Sequence, residues 1–132
     1  MYDFAVNEDN EHVSGAVIYD KNQILLNSKD NARRRVFTLA HEIGHIVLGH
    51  RDGGDRMVDT RSDLILPLKR TKEYEANEFA GKLLMPEWEF RKKWNEKRKL
   101  SITDRISCMT ETFGVSFSAA TVRAEVLGLY HA

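Results

Sequence analysis

The stretch that decides the reading is residues 36–48, Val36-Phe37-Thr38-Leu39-Ala40-His41-Glu42-Ile43-Gly44-His45-Ile46-Val47-Leu48. Its apolar residues recur at helical rather than alternating spacing, so it reads as the centre of a helix over about 31–49, with Gly49 as its stop. At about 100° per residue with His41 at zero, Thr38, His45 and Glu42 fall at about 60°, 40° and 100°, on one polar stripe. Val36, Leu39, Ala40, Ile43, Ile46 and Val47 fill the rest of the circumference, which predicts a helix held in a core. Burying two imidazoles and a carboxylate without partners costs several kcal/mol. A metal relieves that cost. Imidazoles at i and i+4 converge on one Zn²⁺, while Glu42 on the next radial direction is placed as a base rather than a ligand. Histidines four apart also occur on ordinary helices as hydrogen-bonded core residues, so the motif alone leaves both readings open.

A second helix, expected over 72–85 and ending before Pro86, supplies the context. With Glu73 at zero, Ala76, Phe79, Ala80, Leu83 and Leu84 cluster between about 240° and 20°. Glu75, Glu78 and Lys82 fall on the far side. Glu73 and Asn77 border the apolar face, so Glu73 is the candidate third metal ligand, and Asn77 the amide that hydrogen-bonds a ligating imidazole and holds its tautomer. The competing reading of Glu73 is a helix-start acid favoured by the macrodipole. His50 is the other possible ligand. The pattern H-E-x-x-H-x-x-G-x-x-H would need glycine and histidine where Leu48 and Arg51 stand, so His50 is read as closing the helix C-terminus instead.

Around these two helices the chain is short of alternatives. Its 132 residues are 42% hydrophobic and 30% charged, which suits one domain, residues 1–132, and argues against disorder. Twenty basic residues balance twenty acidic ones, so net charge points to neither nucleic acid nor membrane. The lone Cys108 excludes an internal disulfide, the first residues are too acidic for a secretory signal, and His41, Glu42 and His45 interrupt the longest apolar run. A cytoplasmic protein is expected. Residues 14–19 and 23–27, separated by Asp20-Lys21-Asn22, predict a β-hairpin spanning 14–27, with a further short strand near Met57-Val58. Residues 86–132 predict C-terminal helices, the first opened by Pro86 in its first turn, with Trp88, Phe90 and Trp94 turned inwards. Ser101 or Thr103 is expected to cap the next helix, Gly114 to break it, and Ser116 or Ser118 to open the last. Six basic residues in 91–99 are read as a solvated face, and residues 1–13 as loosely held. The fold class expected is α+β: a small antiparallel sheet beside the H-E-x-x-H helix and the second ligand-bearing helix, with a C-terminal helical bundle.

FTLAHEIGHIVLGH at 37–50, followed by EYEANEFAGKLLMP at 73–86, resembles the ImmA/IrrE family of bacterial and phage metallopeptidases. The hairpin and the closing FGVSFSAATVRAEVLGL at 113–129 are similar to that family too. The resemblance implies a gluzincin-like site for one zinc ion, with His41, His45 and Glu73 as ligands and Glu42 as base. It also implies a protein substrate, typically a helix-turn-helix repressor, in phage, mobile-element or toxin–antitoxin circuits. Two other readings stay open: a metal-containing module that sequesters such a partner without cleaving it, and a zinc hydrolase of small amides.

Overall fold

A computed structural model describes residues 13–50, the backbone of 56–60, and residues 71–131. The expectation for residues 1–13 concerns positions that, apart from Val13, lie outside the described residues. The described chain is α+β. Strand β1 (Val13–Ile18) is followed by β2 (Gln23–Leu26), helix α1 (Ala32–Val47) and strand β3 (Arg56–Thr60). Helices α2 (Lys72–Leu84), α3 (Glu87–Glu96), α4 (Ile102–Phe113) and α5 (Phe117–Val126) complete it. Two compact units divide within α2, at residues 1–80 and 81–132.

In the first unit the hairpin gains a third strand. The sheet order is β2-β1-β3, antiparallel throughout, with Ala16 opposite both Leu25 and Val58. Flanked on both edges, all six residues of β1 are buried rather than every second one. The hairpin turns through one 3₁₀ turn, Tyr19–Lys21, and Asn22 takes the left-handed conformation (φ 51°) that asparagine tolerates better than most residues. The fully buried Asn27 ties the far end of β2 to β1, donating from Nδ2 to the Val13 carbonyl at 2.8 Å.

Helix α1 packs against β1 and β2. Asn31 caps it by accepting from the Arg34 N–H at 2.9 Å. Arg33, Arg34 and Arg35 oppose the dipole at this end, and Arg35 is held by donating to the Asp30 carbonyl at 2.6 Å. Here the expectation of a core helix needs correction. Thr38, Ala40, His41, Glu42, Gly44 and His45 are the buried residues, whereas Val36, Leu39, Ile46 and Val47 are exposed. The polar stripe faces inwards. The strands and α2 cover that stripe, so the apolar residues on the rest of the cylinder are left at the surface.

The second unit is a small helical assembly. Met85, Phe90, Trp94, Ile106, Met109 and Val115 form its core with two alanines of α5. Phe90 stacks between Trp94 and Phe113, with centroids 6.2 Å and 5.6 Å away. Trp88 corrects the sequence reading: it is 68% exposed, and Lys92 Nζ sits 5.1 Å from its ring centroid. Phe90 and Trp94 fall one turn apart on the inner face, and Trp88 cannot share it. Pro86 precedes α3 as its N-cap rather than opening its first turn. Ser101 and Ser116 accept from the N–H groups of Asp104 and Ala119, and Gly114 ends α4 at φ 66°. Buried Arg123 donates from Nε to the Met85 carbonyl at 2.9 Å, satisfying an acceptor just past the end of α2.

Candidate metal centre

All the candidate residues lie in the first unit, on α1 and the first half of α2. The two helices meet at Gly44. A Cβ added there would stand 3.2 Å from the Cα and the carbonyl oxygen of Ala76 and 3.1 Å from Phe79 Cδ1. Small residues on both sides bring the helix axes close enough for a side chain at the start of α2 to reach the buried stripe of α1.

His41 and His45 are fully buried, and their Nε2 atoms approach to 3.0 Å with the rings edge-on. Glu73, with 22% of its side chain exposed, presents Oε2 at 2.9 Å from His41 Nε2 and Oε1 at 3.3 Å from His45 Nε2. Among the described residues, these three side chains form the group able to hold a metal ion. Ligands about 2.0–2.1 Å from a tetrahedral Zn²⁺ stand roughly 3.3 Å from one another. The observed separations, 3.0 Å between the two Nε2 atoms and 2.9 and 3.3 Å from them to the two oxygens of Glu73, are of that size. The donor set, two imidazoles and one carboxylate, is of the kind zinc takes.

Asn77, one turn beyond Glu73, stands where the helical-face argument puts it. Its Oδ1 lies 2.6 Å from His41 Nδ1. An amide oxygen only accepts, so Nδ1 carries a proton, and in the neutral ring Nε2 is then the nitrogen whose lone pair is available to a metal. Glu42, fully buried, is outside the triangle. Its Oε1 lies against β1, 3.3 Å from where a Cβ would stand on Gly15; that Cβ would also meet Thr38 Cγ2 at 2.5 Å. Only glycine leaves the carboxylate this room. An irregularity in the β1–β3 register at Ser14 immediately precedes it.

Sequence reasoning missed two participants. His50, read as a helix-end residue, is 5% exposed and lies with its Nδ1 2.8 Å from His45 Nδ1. It touches the side of His45 away from the triangle, so it is a neighbour of the site rather than its third ligand. Glu75, placed on the far side of α2, has Oε1 3.1 Å from His50 Nε2. Glu75 does sit on a different side of α2 from Glu73, but the chain after α1 folds back to meet it. The available signal was the buried-histidine spacing His45/His50 just beyond a helix-ending glycine. Glu78 is exposed and outside the cluster, as its position on the wheel requires.

No helix among the described residues is long and apolar enough to cross a membrane. No curated protein matches the chain. The profile of the IrrE N-terminal-like domain (Peptidase_M78) matches residues 5–125, which takes in both metal-facing helices, β1 to β3, and the C-terminal helices to within one residue of the end of α5. With two buried histidines and a part-buried carboxylate converging inside the matched region, the chain belongs to the ImmA/IrrE family of metallopeptidases.

Proposed function

We propose that this chain is a zinc-dependent endopeptidase that cleaves a specific protein partner, a helix-turn-helix repressor or antitoxin. The observation that carries the hydrolytic part is the convergence of His41, His45 and Glu73 on one point, with Glu42 one residue along α1 from the first of them. The partner is drawn from the family resemblance.

His41, His45 and Glu73 would hold one Zn²⁺. When bound, zinc supplies a Lewis acid that polarises the scissile carbonyl and brings the pKa of an attacking water to about 7. The remaining work belongs to the chain. Glu42, held between β1 and α1, accepts the proton of the attacking water and delivers it to the leaving amine nitrogen. Asn77 keeps the Nδ1 proton of His41 in place, so that the ring cannot turn its N–H towards the ligand triangle.

The test is incubation of the zinc-loaded chain with a helix-turn-helix repressor encoded beside it. Discrete fragments are expected, abolished by a chelator and reduced at least about 100-fold by Glu42→Gln, which retains zinc. An intact repressor held in a stable complex would instead establish sequestration. Turnover of small amides with indifference to proteins would overturn the endopeptidase reading.

A further inference from the structure

The residue that follows the end of α1 and its glycine stop is tied back into the metal centre. Gly49, at φ 69°, reverses the chain, and His50 returns beneath the helix. Its N–H donates to the His45 carbonyl at 3.0 Å, and its own carbonyl accepts from Lys72 Nζ at 3.2 Å. Fixed at both backbone ends, the imidazole has little freedom. Its centroid lies 5.1 Å from that of His45.

Two ring nitrogens 2.8 Å apart need a proton between them, and one of the two must own it. The other nitrogen of His50 faces Glu75 Oε1 at 3.1 Å. A carboxylate oxygen facing Nε2 accepts from it, so the neutral His50 ring carries its one proton on Nε2 and leaves Nδ1 as a lone pair. The proton between the two Nδ1 atoms then belongs to His45. His45 Nε2, on the opposite edge of the ring, then offers its lone pair towards His41 Nε2 and Glu73, and acceptors converging at 3.0 and 3.3 Å call for a cation between them, as the two Nδ1 atoms call for a proton. Polarity runs in one direction, from the Glu75 carboxylate through His50 to His45.

We propose that His50 and Glu75 are a positioning pair, which sets the tautomer and ring angle of His45 for metal binding as Asn77 does for His41. This rests on the metal-centre reading given above. The arrangement also explains why the first turn of α2 carries two acids and a lysine. Glu73 reaches the triangle, while Lys72 and Glu75 hold His50 by its carbonyl and its ring. One helical turn therefore supplies a ligand to the ion and a support to a different ligand. Forming the centre is coupled to docking that turn against both His45 and the chain that follows α1.

The test compares wild type with His50→Leu, His50→Asn and Glu75→Leu. Zinc affinity is read by competition with a chromogenic chelator, and the His45 Nδ1 proton by NMR of the metal-free and zinc-loaded chains. His50→Leu should weaken zinc binding about 10–100-fold and lose the slowly exchanging His45 Nδ1 proton. Asn Oδ1 reaches about the position of His Nδ1, so His50→Asn should restore both to near the wild-type values. Glu75 is 55% exposed, so Glu75→Leu removes the outer half of the pair without opening a cavity and should weaken zinc about 3–10-fold even if His50→Leu fails to fold. A packing role alone would lower thermal stability without separating His50→Asn from His50→Leu in zinc affinity. Three results overturn the proposal: zinc affinities of both leucine variants within twofold of wild type, no rescue by asparagine, or a wild-type His45 carrying its proton on Nε2 alone in the metal-free chain. A wild-type chain that takes up no zinc overturns the metal-centre reading itself, and with it any role of this pair towards a metal; the NMR measurement separates the two failures.

Discussion

Replacing Gly44 by alanine sets two effects of similar size against each other. In a helix interior, alanine is favoured over glycine by about 1 kcal/mol. At this position, however, the new Cβ would meet the Cα and carbonyl oxygen of Ala76 at 3.2 Å and Phe79 Cδ1 at 3.1 Å. Two of those three atoms belong to backbone, so the relief must come from moving α2 by a few tenths of an ångström. Overpacking of this kind costs about 1–3 kcal/mol, so the net effect is a loss of about 0–2 kcal/mol and a fall of up to about 8 °C in melting midpoint. The larger consequence is chemical. Glu73 lies on α2 within one turn of Ala76, so a shift of the helix there displaces its carboxylate from the two imidazoles. Zinc affinity should fall about tenfold, the size of effect expected when the support of a ligand is disturbed.

Gly81→Ala, on α2 itself, is the control. Its added Cβ would find Arg123 Cδ at 3.9 Å, an ordinary contact, so it should stabilise the chain by about 0.5–1 kcal/mol and leave zinc binding unchanged. Thermal melts and chelator competition on the two variants decide the matter. If Gly44→Ala is as stabilising as Gly81→Ala and binds zinc as tightly as wild type, close approach of the two helices is not what assembles the triangle.

Four further substitutions separate the parts of the site and the core. Glu73→Ala should abolish tight zinc binding, whereas Glu78→Ala, on the exposed face of the same helix, should leave it within about twofold of wild type by the same competition assay. Gly15→Ala would place a Cβ 2.5 Å from Thr38 Cγ2 and 3.3 Å from Glu42 Oε1; it should lower kcat about tenfold or more in the cleavage assay while zinc affinity changes little. Phe90→Ala removes a fully buried ring stacked on Trp94 and Phe113, and should cost about 3–5 kcal/mol in denaturant unfolding.

Much of this protein is legible along the chain because it is local. The i, i+4 spacing puts His41 and His45 on one side of α1 whatever surrounds them, and Glu73 and Asn77 share a face of α2 for the same reason. The serine caps of α4 and α5 and the glycine that ends α4 follow from backbone groups that need partners within a few residues. What the chain order could not show is which surface each helix turns inwards. The nearly continuous apolar circumference of α1 predicts a helix covered all round, polar stripe included; the stripe is covered, but Val36, Leu39, Ile46 and Val47 are exposed, because β1, β2 and the start of α2 pack on the stripe side. The same holds for Trp88, whose direction depends on which side of α3 meets the core. His50 and Glu75 are 25 residues apart, and the helical wheel does set Glu75 apart from Glu73. Their meeting depends on the reversal at Gly49 and on how α2 docks, which is a matter of through-space packing between segments rather than of spacing within either one.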